Sequence, residues 1–107
     1  MFGRSRLVKG DHMARFLVEI EYVADRDKLH AVRDQHRDYL RALAGDGVVL
    51  AAGPLADDTG GVVIFDVEDA AHLDRLLADD PYTEGGVIER RVVREWNILL
   101  GAGLPRA

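Results

Sequence analysis

The spacing of apolar residues between Arg15 and Ile98 switches between a two-residue and a 3.6-residue repeat, and the order of those switches limits the fold more than any other feature. Residues 15–23 alternate: Phe16, Val18, Ile20 and Tyr22 share one parity, while Glu19 and Glu21 take the other. In β-favouring residues this pattern predicts a first strand. Asp25 or Asp27 can then cap a helix running to about Ala44, with Gly45 or Gly47 as its left-handed end. Its apolar residues Leu29, Val32, Leu40 and Leu43, with Tyr39 at the margin, fall in a sector of roughly 80° at about 100° per residue.

The second half repeats the scheme. Residues 48–52 form a short apolar run closed by Gly53-Pro54, which predicts strand 2. The polar stretch Asp57-Asp58-Thr59-Gly60-Gly61 suits a hairpin turn into strand 3 at residues 62–67. Glu68 or Asp69 starts a second helix through about Ala78, with Ala70, Leu73 and Leu77 on one face. Asp79-Asp80-Pro81 stops it, because the residue before proline is steered away from helical angles. After Gly85-Gly86, residues 87–98 predict strand 4. The order β-α-β-β-α-β is the ferredoxin-like arrangement, an α+β domain with two helices on one face of a four-stranded antiparallel sheet. Strand 3 is apolar on both parities, Val62 and Ile64 against Val63, Phe65 and Val67. Helices cover one face only, so a second copy packed sheet to sheet is the simplest cover for the other.

The 107 residues make one domain, and a domain this small rarely encloses a deep pocket alone. Residues 1–12 read as an appended leader, since His12-Met13 directly precedes a plausible native start. Residues 13–100 are then the domain and residues 101–107 a loose tail. The leader carries +2 of charge, from Arg4, Arg6 and Lys9 against Asp11, which leaves −7 of the net −5 on the rest. An acidic body argues against nucleic acid or an anionic membrane as partner, because binding phosphate needs a concentrated basic surface. There are no cysteines, which removes disulfides, thiolate metal sites and cysteine nucleophiles, and suits a cytoplasmic protein. No apolar run approaches the roughly 18 residues that span a bilayer.

One histidine stands apart. His12 is in the leader, while His30 and His72 lie on helix flanks about 100° from Leu29 and Leu73. His36 falls near the centre of the first helix's apolar sector and completes the spacing 29, 32, 36, 40, 43. Two roles fit an inward histidine: a core residue satisfied by a backbone carbonyl, or an acid–base group.

Val32-Arg33-Asp34-Gln35-His36, the run Gly47-Val48-Val49-Leu50-Ala51-Ala52-Gly53-Pro54, and Asp80-Pro81-Tyr82 with Gly86-Val87 together resemble the YciI-like (YCII-related) family. The resemblance runs from about Arg15 to Trp96, and Arg94-Glu95-Trp96 looks like the family's close of strand 4. No single motif is specific, but their order and spacing are. The resemblance implies a ferredoxin-like fold that dimerises into an α+β barrel. It also implies a site built on His36 and Asp80, in which the carboxylate fixes the imidazole tautomer and leaves Nε2 as a base. Asp80 has a second reading as an ordinary helix stop.

Arg33, about 60° round the helix from His36, is a candidate for an anionic substrate, or else a flank cation paired with Asp34 or Asp38. Gly53 and Pro54 either admit a ligand to the backbone or simply turn the chain, and Tyr82 either lines a pocket or packs. Neither Asp57-Asp58 nor Asp79-Asp80 supplies enough oxygens in order for a hard cation, so no metal is expected. Gly85-Gly86 lacks the lysine and following helix of a phosphate loop, and no cofactor is expected. The leading functional expectation is a cofactor-independent lyase or isomerase that moves a proton on a small organic molecule. One branch of the resembled family is linked to dehydrohalogenation of chlorinated aromatic metabolites. The alternatives are a non-catalytic dimer that binds or senses a small molecule, and a cofactor-free oxygenase relying on Trp96 and the tyrosines.

Overall fold

A computed structural model describes residues 13–103; residues 1–12, read from the sequence as a leader, and the end of the expected tail lie outside the described residues. The chain runs β1 (Ala14–Tyr22), α1 (Arg26–Gly45), β2 (Val49–Pro54), β3 (Gly60–Val67), α2 (Ala70–Asp79), α3 (Pro81–Glu84) and β4 (Ile88–Glu95). The four strands form one antiparallel sheet in the order β2-β3-β1-β4, the ferredoxin-like topology read from the sequence.

Register shows why the strands were legible. Phe16 pairs with Phe65 and Val18 with Val63, so the even residues of β1 and the odd residues of β3 share a face. All four are buried, in one core with Leu29 and Leu40 of α1, Leu73 and Leu77 of α2, and Tyr82 of α3. The opposite face carries Leu17 beside Ile64, and Glu19 between Val62 and Val92. No described helix covers it. Arg15 and Asp66, also paired in register there, form an ion pair at 3.5 Å.

Caps set the helix limits. Asp25, not Asp27, caps α1 by accepting from the Lys28 backbone N–H at 3.0 Å, and Asp69 caps α2 through His72 N–H at 2.8 Å. Gly47, at φ 78°, is the left-handed residue after α1. Besides β3, which takes in Gly60 and Gly61 of the expected turn, three differences from the sequence reading stand out. Strand 2 continues through Gly53 and Pro54, which an edge strand tolerates because it has an unpaired side. Strand 4 stops at Glu95, so Trp96 follows it, half exposed, with its N–H on the Arg15 carbonyl. The third difference is α3: Asp80-Pro81 ends one helix and starts another, with proline at a position where a missing N–H costs nothing.

Leu29 is fully buried while Leu99 is 88% exposed. Urea unfolding should show Leu29→Ala losing about 2–5 kcal/mol of stability, against a change within about 0.5 kcal/mol for Leu99→Ala.

Candidate active site

Three elements bring the site together. His36 projects from the buried stripe of α1, and Asp80 and Tyr82 come from the α2–α3 corner. His36 Nδ1 lies 2.7 Å from Asp80 Oδ1, and both residues are buried. The same oxygen accepts the Tyr82 backbone N–H at 2.9 Å, capping α3. A carboxylate can only accept, so against it His36 Nδ1–H is the donor, and in the neutral ring the lone pair then belongs to Nε2. Nε2 has no hydrogen-bond partner among the described residues and is not sealed from solvent. His36 lines a cleft.

Tyr82 holds the imidazole from its face. The two rings are stacked at 3.6 Å between centroids and 2° between planes, and Tyr82 is only 1% exposed. Tyr22 packs edge-on against Tyr82 at 5.8 Å. The histidine ring is thus fixed at Nδ1 by a hydrogen bond and across its face by an aromatic, which leaves one edge to meet a ligand.

The cleft, of about 370 Å³, lies between α1 and the β2–β3 edge of the sheet. Leu40, Val49, Ala51, Ala52 and Val63 supply apolar wall; His36, Tyr22, Arg37 and Arg41 supply its polar side chains. Gly53 and Pro54 form part of the β2 wall. A Cβ on Gly61 would sit 3.0 Å from the Gly53 carbonyl oxygen and 3.2 Å from the Tyr22 hydroxyl, so a bare glycine makes room for that phenol. Burial pushes the Tyr22 phenol up from its ordinary value, with the neighbouring Tyr82 adding to it, which keeps Tyr22 a neutral donor.

Arg33 is placed differently from its sequence reading. It neither lines the cleft nor pairs with Asp34 or Asp38. Its Nε donates to the Tyr82 hydroxyl at 3.4 Å and its guanidinium meets Asp58 at 3.3 Å. Arg26 pairs with the same aspartate, and both arginines sit near the Tyr22 ring, at 6.0 Å for Arg26 and 5.9 Å for Arg33. Arg33 therefore buttresses Tyr82 and ties the β2–β3 turn to α1. Tyr22 and Arg37 were missed as site residues. Tyr22 shares the parity of the strand 1 core positions, and Arg37 belongs to the charged flank of α1. Among the described residues no group of three or more His, Cys, Asp or Glu comes together to hold a metal ion, and no helix is long and apolar enough to cross a membrane.

With this geometry in view, comparison with known proteins gives a family. A model of the YCII-related domain matches residues 13–97, and the chain belongs to that family. No curated protein sequence matches it significantly. Among solved structures, the chain is similar to 5-chloro-2-hydroxyhydroquinone dehydrochlorinase from Burkholderia phenoliruptrix, solved with 2,5-dihydroxybenzoquinone. The two are 22% identical over 78% of this chain and 93% of that one, with a TM-score of 0.63. It is also similar to a candidate antibiotic biosynthesis monooxygenase from Bacteroides thetaiotaomicron: 13% identity, 91% and 98% of the two chains, TM-score 0.62. Identities this low speak for a shared fold.

Asp80 orients His36 and caps α3 with one oxygen, so truncating it removes both contacts. Asp80→Ala should lower stability by about 1–3 kcal/mol in urea unfolding. Asp80→Asn, which keeps an acceptor there, should lose clearly less.

Proposed function

We propose that the protein is an enzyme of the lyase or isomerase type, working without a cofactor, in which His36 Nε2 moves a proton on a small organic molecule. The single observation that carries this reading is the division of labour on one imidazole: Nδ1 is bound to a buried carboxylate, and Nε2 is left unpartnered at a cleft. A base so arranged takes a proton at Nε2 and becomes an imidazolium whose charge the Asp80 carboxylate offsets. Tyr82, stacked on the ring, holds its plane, and Arg33 supports Tyr82 from behind.

Elimination of hydrogen halide is the reaction class best matched to these parts. The base removes a proton, the released electron pair forms a new π bond, and the halide departs with its own electron pair. No oxidant or reductant is consumed. The similar Burkholderia structure belongs to a dehydrochlorinase, which supports the reading by analogy of fold. The outer sheet face, with Leu17, Val62, Ile64 and Val92, supports a second copy packed against it, in keeping with the barrel expected from the family resemblance.

Chloride release from 5-chloro-2-hydroxyhydroquinone and related halogenated phenols tests the reaction directly. On a substrate that turns over, His36→Gln should cut kcat by about 10²–10⁴-fold, with a smaller loss for Asp80→Asn. An unchanged rate in His36→Gln would remove the base assignment. Stoichiometric binding without conversion, at any pH from mildly acidic to mildly basic, would instead favour a binding or sensing role.

A further inference from the structure

The sign of the cleft is opposite to that of the chain. The protein carries a net charge of −5, yet no aspartate or glutamate lines the cleft among the described residues, whereas two arginines do. The two are not equivalent. Arg41 is paired with Asp38 one turn back at 2.7 Å, so its charge is largely answered on the helix surface. Arg37, the neighbour of His36 on α1, has no ion pair or hydrogen bond among the described residues. Arg37 and Tyr22 line the same cleft. The Tyr22 hydroxyl is likewise without a hydrogen-bond partner, and it is not a sealed atom. An unpaired guanidinium and a free phenol O–H thus offer donors at a cleft whose lining includes no carboxylate among the described residues. The side chains of the facing wall, Val49, Ala51 and Ala52, are apolar.

We propose that this cleft takes a small organic anion, with its charged oxygen held by Arg37 and the Tyr22 hydroxyl and its apolar body laid along Leu40, Val49 and Ala52. The inference rests on the proposed role of His36 and deepens it by naming the substrate class. Arg37 is a specificity-determining residue. It favours a carboxylate, phenolate or enolate over a neutral isostere by charge-assisted hydrogen bonding. An anionic oxygen next to the His36 edge also suits proton removal, since charge developing in the substrate is met by a fixed cation. The volume, about 370 Å³, lies at the small end of ligand pockets, which run from about 300 to 1,000 Å³, and so suits a compact ligand.

Benzoate and benzamide form a matched pair of probes, alike in shape and different in charge. Titrating each into the intact protein, with the backbone amides of Ala52 and Gly53 followed by NMR, reads binding at this wall without requiring turnover. Benzoate should bind about tenfold more tightly than benzamide, and the margin should shrink as salt is added. Arg37→Gln should bring the two ligands to within about twofold, Arg37→Lys should keep part of the preference, and Tyr22→Phe should weaken benzoate more than benzamide. His36→Gln should leave the preference in place. Equal binding of the two ligands, a preference that survives Arg37→Gln, or no binding of benzoate at tens of millimolar would overturn the proposal. The two readings fail separately. A preference retained alongside unaltered turnover in His36→Gln would sink the base and leave the anion site. Turnover lost in His36→Gln with no charge preference would do the reverse.

Discussion

A single carboxylate oxygen joins the two halves of the site. Asp80 Oδ1 receives His36 Nδ1–H from α1 and the Tyr82 N–H of α3, residues separated by 44 positions in one case and two in the other. The long-range bond sets the imidazole; the short-range one sets the turn that carries Tyr82 across the imidazole face. Remove the oxygen and both the tautomer and the stacking partner lose their reference point. Arg33 extends the same network outward, from the Tyr82 hydroxyl to Asp58 in the β2–β3 turn.

Burying a carboxylate costs several kcal/mol in lost hydration, and hydrogen bonds to it offset that cost. Apolar side chains of similar size would fill the same space without that cost. A buried His–Asp contact is therefore a poor device for stability alone, which fits the proposed role of holding one ring nitrogen while freeing the other. The charge pattern around it points the same way. An acidic protein that lines a cleft with arginine and, among the described residues, no carboxylate sets a local field for anions there, and apolar side chains strengthen such a field.

Much of this was legible in the sequence, for identifiable reasons. Long periodic segments declare themselves: the alternation from Phe16 to Tyr22 and the stripe from Leu29 to Leu43 placed β1 and α1 and aimed His36 inward. The pairing with Asp80 was not a matter of periodicity. It came from family resemblance, because the chain positions of the two residues carry no distance information. Helix α3 escaped since four residues are barely one turn, and the Asp-Pro pair that starts it serves equally as a stop for α2. Arg33 and Arg37 could not be told apart from their helical angles alone. What separates them is Asp58, at the tip of a hairpin whose approach to α1 depends on the whole sheet. Tyr22 was hidden by its own regularity, as a residue of core parity at the end of β1.

The central claim is that His36 carries its proton on Nδ1, toward Asp80, and presents a bare Nε2 to the cleft. Long-range ¹⁵N–¹H correlation NMR on the uniformly labelled protein, under conditions where the His36 ring is neutral, distinguishes the two tautomers by their coupling pattern. The structure predicts the Nδ1–H tautomer, with a strongly downfield proton that disappears in Asp80→Ala. An Nε2–H tautomer, with Nδ1 accepting a proton from the Asp80 carboxyl, would contradict it.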